Sequence, residues 1–235
     1  NKPSASRDIY FDRETLDRMQ PILPIEELAG FKMFKEYNPS HAYAGGHDVA
    51  GGLGLDSSTS VFIDFSTIPA QVVGTYHSNT INPEAFGDEI YSQGNRFGTC
   101  LLAVENNKYD QTILKATQLG ANMYISATGK TTTTGYNMPK IYGWNTNSLT
   151  KSKMLSDLRE AIESGLLALN DAELIKEAKG YTRNDVIDRD ADIRMTTRHW
   201  DLLIAVAIAW QMKDHARPKP MFELRDETVE ENNAI

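Results

Sequence analysis

Cysteine is nearly missing: Cys100 is the one thiol in 235 residues. A lone thiol excludes an internal disulfide framework and a thiolate metal cage, and it fits a reducing compartment. Long apolar runs are missing too, since none approaches the roughly 20 residues that cross a bilayer. The most apolar stretch, LLIAVAIAW at 202–210, has the length of a buried helix. The first residues mix acids and bases with no apolar segment, so no secretory signal is expected. No internal repeat, low-complexity tract or heptad run is visible. The glycosylation-like triplet Asn38-Pro39-Ser40 is blocked by its proline, and the five histidines are scattered without zinc spacing. Basic residues are outnumbered 24 to 32, a formal charge of -8. That balance argues against a protein gripping phosphates over its whole surface and restricts any nucleic-acid contact to a local or metal-assisted patch.

What is present reads as alternating strands and helices. Residues 1–35 combine a short helical pattern at 13–19 with Pro21 and Pro24, and read as a linker or arm; residues 215–235 turn acidic after a proline pair and read as a flexible tail. Between them, 41–49 and 58–66 read as two strands joined by the glycine-rich GGHDVAGGLGLDSS, with Val61, Ile63 and Phe65 on one face at period two. Asp64, on the alternate face, is expected to be exposed. Residues 70–77 supply a third strand, and Asn82-Pro83 opens a helix with proline at its first position. CLLAVE, at 100–105, is the continuous apolar run of a central strand covered on both faces. Helices follow at 109–119, 151–164, 171–179 and 198–213, the last capped by Thr197; a short strand lies at 123–127, and an exposed flap at 130–142. Such an order predicts a layered α/β domain over 36–214.

Three carboxylates stand at the ends of very apolar elements: Asp48 after the first strand, Glu105 after the buried one, Asp201 in the first turns of the last helix. Each alone has an ordinary explanation. Asp201 suits a helix dipole, Glu105 a solvated strand end, and Asp48 its own glycine turn. Together, at equivalent ends of separate elements, they predict convergence on one spot, where like charges are relieved by divalent cations.

The strand-loop-strand around Asp48, VENN at 104–107, GWNTNSLTK at 143–151 and RHWDLLIAVAIA at 198–209, in this order, resemble the nuclease domain of the large terminase subunit of tailed bacteriophages. The resemblance implies a ribonuclease H-like mixed sheet, three antiparallel strands plus parallel ones, flanked by helices. It implies an endonuclease that cuts double-stranded concatemeric DNA during genome packaging by two-metal-ion hydrolysis. Asp48, Glu105 and Asp201 would be the catalytic and metal-binding acids for two Mg²⁺ or Mn²⁺ ions, with Asp56 and His199 in support. DNA would meet Lys130, Lys140, Lys151, Lys153, Arg194 and Arg198. One departure stands out: Trp200 occupies the first of two adjacent positions where many relatives carry aspartates. The resemblance further implies a packaging ATPase ahead of residues 1–35, portal and small-subunit partners, no membrane, and action in the cytoplasm of the infected bacterial host.

Rival readings of the same residues remain. Gly129-Lys130-Thr131 imitates a phosphate loop, but Tyr124 takes the place of its first glycine. DVAGGLGLDSS could serve a nucleotide in an actin-like protein, which needs a second such half. A junction-resolvase type of nuclease and a catalytically silent module complete the alternatives.

Overall fold

The computed structural model describes residues 8–54, 56–107, 109–128, 140–187 and 200–218. In chain order the elements are α1 (Arg13–Arg18), β1 (Glu26–Leu28), β2 (Phe31–Met33), β3 (Tyr43–Asp48), β4 (Ser58–Asp64), β5 (Ala70–Ser78), α2 (Pro83–Arg96), β6 (Leu101–Val104), α3 (Asp110–Gln118), β7 (Ile125–Thr128), β8 (Lys140–Tyr142), α4 (Ser148–Glu163), β9 (Leu167–Ala168), α5 (Ala172–Gly180), α6 (Arg183–Ile187) and α7 (Asp201–Gln211). The main sheet runs β1-β2-β5-β4-β3-β6, with β9 alongside β5, while β7 and β8 pair separately. β3, β4 and β5 form the expected antiparallel meander, and β6 lies parallel to β3.

Helices cover both faces. Val61, Ile63 and Val72 pack with α4, α5 and α7, whereas Phe62, Val73, Leu102 and Val104 pack with Phe86 and Ile90 of α2 and with α3. β4 is therefore buried along its whole length. Asp64, expected to be exposed, is only 4% accessible. Its carboxylate is satisfied within the fold: His41 Nδ1 lies 2.7 Å from Oδ2, and the Ser66 N–H donates to Oδ1 at 2.9 Å. The alternation along 58–66 marks which face each residue takes, but both faces turn out to be covered.

The reading of residues 1–35 as a linker also needs correction. β1 and β2 form a hairpin whose second strand pairs antiparallel with β5, and Phe11 and Leu16 are buried in the core. The folded unit thus begins well before residue 36. At the other end Ala216 is still buried, so packing continues past residue 214. Thr197, the expected cap of the last helix, lies outside the described residues, as does most of the expected flap. Trp200 holds the cap position of α7.

α7 is apolar on every side and almost wholly buried, which is how a helix enclosed by other elements reads. It lies directly on β3 because that strand has no side chain at Gly46. A Cβ there would stand 2.2 Å from the Ala205 carbonyl oxygen and 2.3 Å from the Ala209 nitrogen. The helix opposes small residues, Ala205 and Ala209, to this gap. Gly46→Ala is expected to lower stability by about 3 kcal/mol, the upper range for overpacking a fitted core. Chemical denaturation measures this, and an unchanged midpoint would contradict the helix placement.

Candidate active site

β3 and β6 run side by side in register, with His47 opposite Val104, and the Glu105 N–H donates to the His47 carbonyl at 2.9 Å. The next pair along is Asp48 and Glu105. Neighbouring in-register positions on adjacent strands share a face and sit about 5 Å apart. Ala44 and Ala103, which share their parity, belong to the core layer under α7. Both carboxylates therefore emerge at the same end of the sheet, on the α7 side. His47 points the other way, against Phe62 and Phe86, and takes no part in this group.

Asp201 is brought there by the docking of α7. The Ser57 N–H donates to its Oδ2 at 2.9 Å, and the Thr59 hydroxyl donates to its backbone carbonyl at 2.9 Å. Thr59 pairs with Asp48 across β3 and β4. Two hydrogen bonds to the start of β4 thus hold the first turn of α7 beside the end of β3.

Electrostatics register the convergence. The Asp48 carboxyl is held well above the usual carboxylate range, first by burial, then by the negative charges of Glu105 and Asp201, and by a side-chain hydrogen bond with Glu105. Without a cation, the Asp48 carboxyl therefore favours its protonated form. Among the described residues no three His, Cys, Asp or Glu side chains form a ready-made metal cage. The donor set nonetheless fits a hard divalent cation in kind: it is all oxygen, it includes a carboxyl kept from ionising by its neighbours, and a cation relieves that repulsion.

The loop after β6 is fixed to residues 143–147. The Trp144 N–H donates to Val104 O at 2.7 Å, and the Asn106 N–H donates to Trp144 O at 3.0 Å. Asn107 donates through Nδ2 to Glu105 Oε1 at 3.2 Å and also to the Thr146 carbonyl. The stretches VENN and GWNTN therefore meet, and Glu105 gains a side-chain partner. Asn147 then caps α4 in a capping box with Thr150.

Of the supporting residues, Asp56 is exposed and immediately precedes Ser57. Lys151 lies in the first turns of α4, next to this junction. Lys140 shares a groove with Asn106 and Asn145. Lys153 is engaged in an ion pair with Asp157 one helical turn along α4. Lys130, Arg194, Arg198 and His199 lie outside the described residues. Trp200 supplies no oxygen: its ring packs edge-on against Tyr181, with centroids 5.4 Å apart, and over Gly180, where a Cβ would lie 2.9 Å from it.

The sequence did not single out Glu177 of α5. Its Oε2 accepts from the Leu203 N–H at 2.9 Å. Burial is the largest cause pushing its carboxyl up to about 8; the Leu203 N–H acts in the opposite sense, and the Asp201 charge adds to the rise. Nothing in AELIKEAKG marks this residue. The one indirect signal is Trp200, a residue unable to cap the helix it precedes.

For Asp48 and Glu177 alike, the folded state binds a proton more tightly than the unfolded chain. The stability tied to that proton is complete below the ordinary carboxylate range and is lost as pH rises, for Glu177 between about 4.5 and about 8. Melting of the chelator-treated protein is expected to weaken steadily across that window, with Mn²⁺ offsetting the loss at the alkaline end. Calorimetry at pH 5 and pH 8, with and without Mn²⁺, checks both signs.

No family model matches the sequence, and no curated protein matches it. Solved structures do. The large terminase nuclease of thermophilic phage G20c with bound magnesium superposes with a TM-score of 0.63 at 17% identity, covering 87% of this chain and 97% of that one. The large terminase nuclease domain of Thermus phage P74-26 gives 0.59 at 19% identity, with 84% and 93% covered. The Mn-soaked terminase nuclease domain of human cytomegalovirus gives 0.51 at 10% identity, covering 88% of this chain and 96% of that one. With its mixed sheet covered by helices on both faces, the chain therefore shares the α/β fold of these large terminase nuclease domains.

Proposed function

We propose that this protein is a metal-dependent endonuclease of the large terminase type, hydrolysing phosphodiester bonds of double-stranded concatemeric viral DNA during genome packaging. The observation that carries the reading is the meeting of Asp48, Glu105 and Asp201, from two parallel strand ends and one helix start, in a fold shared with terminase nucleases. A nucleotide site of the actin-like kind would not call for three mutually repelling carboxylates.

Asp48, Glu105 and Asp201 would hold two Mg²⁺ or Mn²⁺ ions. Such a pair supplies an activated water for in-line attack at phosphorus and stabilises the departing oxygen. The protein's own part is preorganisation. Asp48 interacts with both other acids and would hold the cations together with them. Ser57 and Thr59 fix Asp201, and Asn107 orients Glu105. Trp200 packs into the protein where many relatives carry another aspartate, so this site works with one carboxylate fewer at that position.

Lys140, in a groove with Asn106 and Asn145, and Lys151, in the first turns of α4, would meet a phosphate backbone. Lys130, Arg194 and Arg198, outside the described residues, would contact DNA in the same reading. Lys153 would first have to leave Asp157, an exchange that exposed pairs make at little cost. Full partners would be a packaging ATPase domain, a portal and a small terminase subunit, in the cytoplasm of an infected bacterium. Among the described residues no helix is long and apolar enough to cross a membrane.

Asp48→Asn and Glu105→Gln are each expected to reduce Mg²⁺- or Mn²⁺-dependent nicking of a plasmid by about 10²-fold or more, the scale of losing one preorganised charged group. In the absence of metal the same changes should raise the melting temperature, because they remove the repulsion. Variants that cut as well as the parent chain would end the nuclease reading.

A further inference from the structure

α7 begins without a cap of its own. Trp200 makes no side-chain cap hydrogen bond, and the first N–H groups of a helix must find acceptors elsewhere. Glu177 provides one from a different helix: its Oε2 accepts from Leu203 at 2.9 Å, and the Leu202 N–H faces the same carboxyl. Leu202 and Leu203 lie two and three positions after Trp200, in the turn that presents Asp201.

The support behind Glu177 reaches the sheet. Asp171 caps α5, accepting from Glu173 and Leu174, and its other oxygen accepts from the Thr75 hydroxyl of β5 at 2.8 Å. Asn170 donates to the Val72 carbonyl at 2.9 Å. At its far end α5 is held by the packing of Trp200 over Gly180 and Tyr181. α5 is thus fixed to β5 at one end and to the start of α7 at the other.

Resting on the metal-site reading above, we infer that Glu177 is a positioning residue for Asp201: it substitutes for the missing cap of α7 and holds the turn that brings this carboxylate to Asp48 and Glu105. It acts through the helix backbone and not as a ligand, because its oxygen is already directed at main-chain N–H groups. An isolated gap in this arrangement would let the first turn fray and widen the spacing of the three acids. Loss of an outer support of this kind costs metal sites about 10- to 100-fold in affinity.

Three substitutions separate reach from charge. Glu177→Gln keeps an acceptor of the same length without the charge, Glu177→Asp keeps the charge but falls short of Leu203, and Glu177→Ala keeps neither. Mn²⁺ binding by the full chain is measured by titration calorimetry, together with the Mn²⁺ concentration giving half-maximal plasmid nicking. Glu177→Gln is expected within about threefold of the parent on both readouts, and Glu177→Asp and Glu177→Ala weaker by about tenfold or more. Glu177→Gln as weak as Glu177→Asp, or Glu177→Asp as strong as the parent, overturns the inference, and this comparison stands even where Glu177→Ala does not fold. Asp48→Asn serves as the separate control. If it binds Mn²⁺ and nicks like the parent, the metal-site reading fails and the inference with it; if it is inactive while Glu177→Asp is unaffected, only the inference fails.

Discussion

The contact of α7 with the bare backbone of Gly46 governs the architecture. A helix can approach a strand this closely only where the strand carries no side chain and the helix offers alanines. Because β3 lies inside the mixed sheet, between β4 and β6, and ends in Asp48, fixing the helix on it also fixes where the helix start must lie. The site is a consequence of that packing: Asp201 reaches Asp48 because Ala205 and Ala209 have already met Gly46. Ser57 and Thr59 then set the last degree of freedom, the rotation of the first turn.

The same packing creates a tension. It gathers several carboxyl groups at one end of an apolar layer, where burial and mutual repulsion both disfavour ionisation. A fold selected for stability alone would replace one of them with an apolar or amide side chain. The protein instead spreads the strain: Asp48 makes a side-chain hydrogen bond with Glu105, Asp201 accepts from a backbone amide, and Glu177 faces the positive end of a helix. Such an arrangement is stable enough to fold and would gain from a divalent cation that relieved the repulsion.

Much of this could be read from residue order. The period-two strands, the doubly covered β6 and the three acids at element ends depend on local patterns, and those patterns survive into the fold. The β1–β2 hairpin did not show itself, because strands of three residues are too short to display a period, Leu23 and Ile25 ahead of it and Leu28 within it are exposed, and its pairing comes from the edge of β5. Asp64 misled because alternation distinguishes faces without saying whether either meets water. Glu177 and the role of Trp200 were hidden for a deeper reason. Their meaning lies in a partnership between α5 and α7, and no feature of either segment alone encodes which helix start will need an acceptor.

Order of synthesis adds a further consequence of seating α7 across β3. The ribosome delivers the acidic strand ends before the helix that completes their group, so long-range closure limits when the centre exists. Until then the layer beside Gly46 is an open apolar trough. A chain halted before residue 201 would lack the third acid and expose that trough to solvent, making it prone to stick to other unfinished chains.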